Sequence, residues 1–498
     1  IGASALRCNT ASNNIAVGMQ PLYYNTSGTN NTAIGTKALF CNTTASCNAA
    51  VGYNSLLNNT TGAQNVALGS NSLCANTTGD FNTAVGEKSM MGVNTGDSNA
   101  AFGQGSLRCN TSGCFNTALG AATLISNTTA SNNTAIGGCS LNANTTGADN
   151  TAVGNSALLA NTTGYINVAV GHDAMKANTE GQGNVGIGGY ALDANTTGSR
   201  NIAIGCSALS ANTTCSDNIA IGFCALTTQT NGGINNTSIG NYSMKLNTTG
   251  DNNVAVGYNA LNENTTGMLN TAVGAIALED QTTGGCNTAL GYAALCTVTT
   301  GTDNVGIGIQ AGDSVTTGAT GTYVGGYSGQ SVTSGNGTYI GKNAGYNATT
   351  GINNVAVGLS AGNDIFNITD HSNRIVLSNN SATNAYIKID WTVTSDKRDK
   401  TEIENVPHGL DFVNQLKPVS FKFKKSRENS IAHGLKKYGF LAQDILELEG
   451  DNNVIIDNEN EENLKVTNSH LIPVLVNAIK ELKAENDSLK TRIEALES

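Results

Sequence analysis

Residues 65–86 read NVALGSNSLCANTTGDFNTAVG. The phrase that opens the stretch, Asn65-Val66-Ala67-Leu68-Gly69, returns 17 residues later as Asn82-Thr83-Ala84-Val85-Gly86. Outward from here, its closing glycine recurs at every seventeenth residue from Gly35 to Gly222. After one 18-residue step it resumes at Gly240 and runs to Gly325, and it stands again at Gly341 and Gly358. A fixed period of this kind marks stacked units that bury a continuous core only against their neighbours. Seventeen extended residues span roughly 55 Å, so each repeat must turn back, most simply as one coil of a solenoid. Coils stack ~4.8 Å apart, and some twenty of them make a rod on the order of 100 Å long.

Each place in the period has its own chemistry. The residue before the glycine is bulky and apolar (Ile34, Val85, Val153, Ile221), and the one before that is usually Ala (Ala33, Ala84, Ala152). Alternation along a strand sends the two to opposite faces. The expectation is that the aliphatic row fills each subunit's interior and the alanine face allows close approach of sister chains about a shared axis. A second pair, small then Leu or Met, follows (Ala38-Leu39, Ser72-Leu73, Ala174-Met175), as a short strand or a helical turn. Then comes Asn-Thr-Thr-Gly, as at 76–79, whose Asn and Gly tolerate positive φ and suit a corner. From Gly308 onward the leucine becomes glycine (Gly312, Gly329, Gly345, Gly362). Each swap removes ~1.5–3 kcal/mol of burial, so these last coils must pack differently, as a transition to the next domain or as a tip.

Several features of the shaft imitate functional motifs. Asn-Thr-Thr sequons (Asn42, Asn76, Asn144, Asn161, Asn212) would accept glycans only in a eukaryotic secretory pathway; they read first as turn formers. Rows of Thr are expected on any soluble solenoid, so they are weak support for an ice-binding face. The twelve Cys show no metal-ligand spacing and sit at scattered repeat positions (Cys74, Cys139, Cys206, Cys224). That points to small buried apolar residues with free thiols. Acidic residues are sparse and out of phase, which argues against a carboxylate pair for glycoside cleavage. His172 and His371 stand alone, so neither a metal nor a cofactor is expected.

Composition sets a boundary. Five per cent aromatic residues in 498 argue against one large core, and a net charge of −11 gives no reason to expect nucleic-acid binding. Residues 1–390 hold 27 charged residues and residues 391–498 hold 34, so a domain boundary falls near Trp391, the only Trp. No stretch reaches the roughly 20 apolar residues of a membrane span. The chain opens mid-repeat at Ile1-Gly2, so the natural N-terminus is expected upstream. The divisions read from this are a repetitive β-shaft over 1–365, a connecting β-segment over 366–394 and a final domain over 395–498. Within the connecting segment, 385–394 alternates like a strand.

The final domain carries four phrases in order: Ser395-Asp396-Lys397-Arg398-Asp399-Lys400, Leu416-Lys417-Pro418-Val419 leading to Phe421 and Phe423, Gly439-Phe440-Leu441-Ala442-Gln443-Asp444, and Leu471-Ile472-Pro473-Val474-Leu475. From 471 to 498, Ile472, Leu475, Ile479, Leu482, Asn486, Leu489, Ile493 and Leu496 recur at the three-and-four spacing of a coiled coil, with Asn486 as the one polar core position. These phrases resemble the auto-processing intramolecular chaperone domain of phage tail fibres and endosialidase-type tailspikes. The shaft phrase resembles the head repeats of trimeric autotransporter adhesins and the shafts of many viral fibres, although the 17-residue period differs from the adhesin repeat.

The resemblance implies a homotrimer, with Ser395 as nucleophile, Lys400 as its base and self-cleavage at the Thr394–Ser395 bond, a serine endopeptidase activity confined to this domain. Lys397 and Arg398 would favour the neutral amine of Lys400. Asp399, where the family favours Leu, would oppose it. The function implied is a virion fibre or spike, made in the host cytoplasm, carried on the virion surface and extracellular once released. Its partners would be other tail or capsid proteins and a host receptor, glycan or protein. A glycan-degrading tailspike would instead need an acidic cleft, and a cellular trimeric adhesin would need a membrane-anchor barrel.

Overall fold

Three residues of extended chain, bounded on one side by a buried Asn and on the other by Gly, make the unit strand. The computed structural model describes residues 1–497 except 231, 364–367, 380, 383–385, 387, 389–392, 425–429, 452 and 460. In it three-residue strands occur 22 times in a single parallel sheet, from β1 (Ile15–Val17) and β2 (Thr32–Ile34) to β22 (Ile375–Leu377), with Gly321 and Gly337 in the Asn place before two of them and Arg374 and Ser378 flanking the last. Consecutive strands pair in order and in phase: Ala16 faces Ala33, Ala33 faces Ala50, and so on up the stack. The long coil pairs Ile219 with Thr237 and a short one pairs Thr322 with Thr338 without breaking that phase. The architecture is thus the expected β-solenoid, one coil per repeat. The described residues divide into two compact units, Ile1 through Leu377 and Ser378 onward. The strand expected over 385–394 falls largely outside the described residues.

The faces are the reverse of the expectation. Ala33, Ala84 and Ala152 are fully buried inside the coil, while Ile34 is 40% and Leu68 48% exposed on its outer side. The coil is thin, and thinness decides. Opposite each strand lies the buried Leu of the second pair (Leu39, Leu73, Leu158), and between it and the strand there is room for a methyl group and little more. Where the alanine is replaced by Gly186 or Gly306, an added Cβ would come 2.7 Å from Met175 Cγ or 2.6 Å from Leu295 Cγ. A bulky residue there would overpack the coil.

The corners also move. Positive φ falls at Asn30, Gly35, Lys37 and Leu39 in one coil and at the equivalent residues of the others, not in Asn-Thr-Thr-Gly. The segment from Ala38 to Leu39 is therefore neither strand nor helical turn; it is a tight turn that uses left-handed backbone to aim Leu39 inward. The glycine column needs glycine on two counts. Gly171 has φ +138°, and a Cβ on it would lie 2.5 Å from the carbonyl oxygen of Gly188 in the next coil.

The asparagines form two buried ladders. In one, Asn59 Nδ2 donates to Asn42 Oδ1 at 3.0 Å and to Gly62 O at 2.8 Å. In the other, the Asn65 N–H donates to Asn48 Oδ1 at 2.9 Å, while Asn48 Nδ2 donates to the same Gly62 O at 2.9 Å. One carbonyl per coil thus ties the two ladders together, satisfying amide N–H groups whose burial would otherwise cost stability, although the first ladder is interrupted at Asn212 and Asn264, whose buried Oδ1 atoms have no donor among the described residues. The sequon asparagines Asn42, Asn76, Asn144, Asn161 and Asn212 all belong to the first ladder and are fully buried, so the folded shaft offers none of them to a glycan. The threonines that follow are half-buried and bond along the stack: Thr43 Oγ1 donates to Thr60 O and Thr60 Oγ1 to Thr77 O. The cysteines differ from expectation. All twelve are unpaired within the chain, but only Cys215 is buried.

Near the shaft's end the interior exchanges its parts. Tyr323 and Tyr339 stand in the alanine place, fully buried, their rings stacked with centroids 5.8 Å apart and planes 13° apart. Gly329 and Gly345 stand in the leucine place directly against those rings, and Val298, Val315 and Val332 replace the ladder asparagine. The ring fills what the leucine leaves, and an apolar column removes the amides that a ring could not satisfy.

The second unit is small. Helix α1 (Leu410–Gln415) leads to an antiparallel hairpin, β23 (Val419–Lys424) with β24 (Ala432–Gly439). Helix α2 (Ala442–Glu449), a two-residue ladder of β25 (Ile456–Asp457) with β26 (Lys465–Val466), and helix α3 (Leu471–Glu497) follow. Phe412, Ile445, Ile455, Ile456, Leu471 and Val474 form its core.

Candidate functional site

Asp396 begins the site. A carboxylate that accepts the N–H two residues on folds the chain into an Asx turn. Here Asp396 Oδ1 accepts from the Arg398 N–H at 2.9 Å and caps a turn of 3-10 helix over Lys397–Asp399. The same carboxylate pairs with the Arg398 guanidinium, with Nη2 to Oδ2 at 2.6 Å and Nε to both oxygens at 3.1 Å. That pairing holds the Asp396 carboxyl below its usual range and raises the guanidinium. The Lys400 N–H closes the turn on Lys397 O at 3.3 Å. The chain has then reversed over five residues, and Lys400 Nζ lies 2.7 Å from Ser395 Oγ, donating to it. Ser395, Lys400 and Thr394 are all exposed in the single chain.

The three residues singled out in the sequence are therefore brought together at one turn: a hydroxyl, an amine in hydrogen-bond reach and the peptide bond preceding the serine. The Arg398 guanidinium, expected to act on Lys400, is paired with the Asp396 carboxylate. The Asp396–Arg398 pairing is what the sequence reading missed. Its signal was present, an Asp at the first position of a short turn. Two buttresses elsewhere in the unit had no such signal. Glu449, nearly buried at the end of α2, accepts the N–H groups of Val454, Ile455 and Ile456 at 2.7–3.0 Å. Glu481 on α3 accepts the Leu410 N–H at 2.6 Å, and Asn477 Nδ2 donates to His408 O at 2.9 Å, so the base of α3 holds the start of α1.

Helix α3 has two faces. Leu471, Val474 and Ala478 are buried against the unit, whereas Ile472, Leu475, Ile479, Leu482, Leu489, Ile493 and Leu496 are exposed. Pro473, the third residue, interrupts nothing because the first turn of a helix has no N–H partners to lose. Among the described residues no cluster of His, Cys, Asp or Glu has the make-up of a metal site, and no helix is long and apolar enough to cross a membrane.

Residues 395–454 match the peptidase S74 family model, described as the chaperone of endosialidase. No curated protein and no solved structure matches the chain. The match begins at Ser395 and follows a 22-strand β-solenoid in the sequence, so the chain combines a repetitive shaft with a segment similar to the chaperone of endosialidase, a combination that fits a tailspike or fibre protein.

Proposed function

We propose that the chain is a structural fibre or spike protein of a virion that reaches a host surface, and that three copies assemble through the C-terminal domain, which then cuts itself free between Thr394 and Ser395. The observation that carries the reading is the 2.7 Å contact of Lys400 Nζ with Ser395 Oγ at the first residue of the chaperone-of-endosialidase match. A serine hydroxyl is a weak nucleophile until a base takes its proton, and a lysine amine serves when it is neutral. Lys400 takes the Ser395 proton as Oγ attacks the Thr394 carbonyl carbon. The C–N bond breaks, the Ser395 nitrogen leaves as an amine after receiving the proton, and an ester joins Thr394 to Ser395 Oγ. Water hydrolyses the ester to a Thr394 carboxylate and a fragment that begins at Ser395.

The exposed apolar face of α3 supports association of copies, because seven aliphatic residues at coiled-coil spacing face water in a lone chain. The partners of the assembled fibre are other tail or capsid proteins at one end and a glycan or protein receptor at the host. A denaturing gel of freshly made chain tests the cut. The expected result is a shaft fragment and a C-terminal fragment whose N-terminal sequence starts at Ser395. A fragment starting elsewhere, or an intact chain, removes the mechanism.

A further inference from the structure

The outer face of the shaft sheet consists of two columns of side chains. The third residue of every strand is Val, Ile, Leu or Phe, and the first is Thr, Val, Ile or Ala. Neither column holds a charged residue in 22 strands. Leu68, Leu119 and Leu290 are 48–49% exposed, and Ile34, Ile187 and Ile340 are 37–40% exposed. Parallel sheets are found with both faces covered, yet here only the alanine face is. The bare aliphatic column amounts to on the order of 1,000 Å² of apolar surface, beyond the few hundred Å² that soluble monomers expose and above the ~800 Å² per partner of a stable interface.

We propose that this face, and not the alanine face, is where copies of the chain meet along the shaft, each turning its aliphatic column toward a shared axis. The inference rests on the trimer reading above and adds the surface. The occupant is another copy because the column repeats once per coil: Ile187, Ile204 and Ile221 stack in phase through paired strands. A second shaft carries the same spacing, including the longer coils that follow Ile221 and Val357, so each level meets its own counterpart from end to end. A partner without that period would match a few levels and then lose step. The other exposed sides of the coil are not built this way; the turn side carries Thr78, Thr146 and Thr266 and, at the same place, Glu180.

The test places a photo-crosslinking p-benzoylphenylalanine in the full chain at Phe102, already an aromatic of the column, or at Thr78 on the turn side. Expected is copy-to-copy crosslinking from position 102, mapped to neighbouring levels of the column, and none from position 78. A second variant set reads the same surface by charge. Leu119→Glu, Ile187→Glu and Ile239→Glu together should make the shaft at least tenfold more sensitive to protease than Thr78→Glu, Thr146→Glu and Thr266→Glu. A wild-type chain that is monomeric by light scattering overturns the trimer and its face alike. A trimer that crosslinks from 78 and not from 102, or that is equally protease-resistant in both charge sets, overturns the face alone.

Discussion

Replacing Asn178 with Val separates the hydrogen bonding of the buried ladder from its shape. Asn178 Nδ2 donates to Asn161 Oδ1 at 2.9 Å and to Gly181 O at 3.0 Å, and Asn195 Nδ2 donates to Asn178 Oδ1 at 2.8 Å. In Asn178→Val, Gly181 O still accepts from Asn167 Nδ2 and Asn195 Nδ2 still donates to Gly198 O, both at 2.9 Å. Asn161 Oδ1 loses its donor while fully buried. An orphaned buried acceptor costs about 1–3 kcal/mol and the severed ladder roughly 1 more, so the local loss should be about 2–4 kcal/mol. The comparison is Gln281→Val in the same column. Gln281 Nε2 donates to Gly284 O, which also accepts from Asn270 Nδ2 at 3.1 Å, and Gln281 Oε1 accepts from Asn287 Nδ2, which also reaches Gly301 O at 2.8 Å. The next residue in the column is already Val298, so Gln281→Val orphans nothing and should cost less than about 1 kcal/mol. Because coils open against their nearest neighbours, native-state hydrogen exchange read coil by coil is the assay. Protection around Asn178 should fall roughly 30- to 800-fold and around Gln281 less than about fivefold. Equal losses at the two sites would refute the orphaning argument.

Ser395→Ala and Lys400→Ala should each abolish cleavage on a denaturing gel while light scattering still reports a trimer; Asp399→Leu should speed cleavage if its carboxylate restrains the neighbouring amine. A chain ended at Asp390 should yield misassembled shaft, and soluble, trimeric, protease-resistant material from it would make the C-terminal domain dispensable. Burial, followed by the charges of Asp313, Glu279 and Asp280, pushes the Cys296 thiol up to about 12. Its thiolate is therefore scarce at neutral pH, and alkylation of Cys296 should still be rising above pH 10, where an ordinary thiol with pKa ~8.5 has levelled off. Peptide mass spectrometry after iodoacetamide treatment at several pH values reads this directly.

How much of this was legible in the chain depends on what each residue can reveal alone. The strict return of glycine announced a solenoid, because a backbone with φ near +130° and a neighbouring carbonyl against its Cα admits nothing else. The direction of the faces was not legible from alternation, which says that Ala33 and Ile34 point apart and not which one is inside. Size suggested the bulky residue, as in an ordinary core, whereas the interior is set by the distance from a three-residue strand to the leucine opposite it. Gly186 and Gly306 were the clue, since only the small column ever shrinks to nothing. The ladder asparagines looked like turn formers and are interior residues, because stacking places an identical amide above and below each of them. In the second unit, Ser395 and Lys400 were legible from a phrase, while the Asp396–Arg398 pair and the buttress Glu449 emerge only once the turns exist.

Near-identical coils create a register problem that the shaft's own residues answer at one end. Slipping a chain by one coil leaves alanine over alanine and leucine over leucine through most of its length, so the penalty falls on the terminal coil alone. The coils from Val298 to Tyr339 break that equivalence. There Tyr323 fits only because Gly329 stands in the leucine place, and Tyr339 only because of Gly345. A slip of one coil toward the N-terminus would set a tyrosine ring against Leu295, overpacking a space that has no room for a Cβ at Gly306. The coil that pairs Ile219 with Thr237 adds a second mark. Each later coil lies only about one period away in sequence, so once a correct pair exists near Tyr323 the next costs little loop entropy. The residues that define register and the segment proposed to align three chains thus occupy the same end of the sequence, and a shaft that zips from there toward Ile1 has one register open to it.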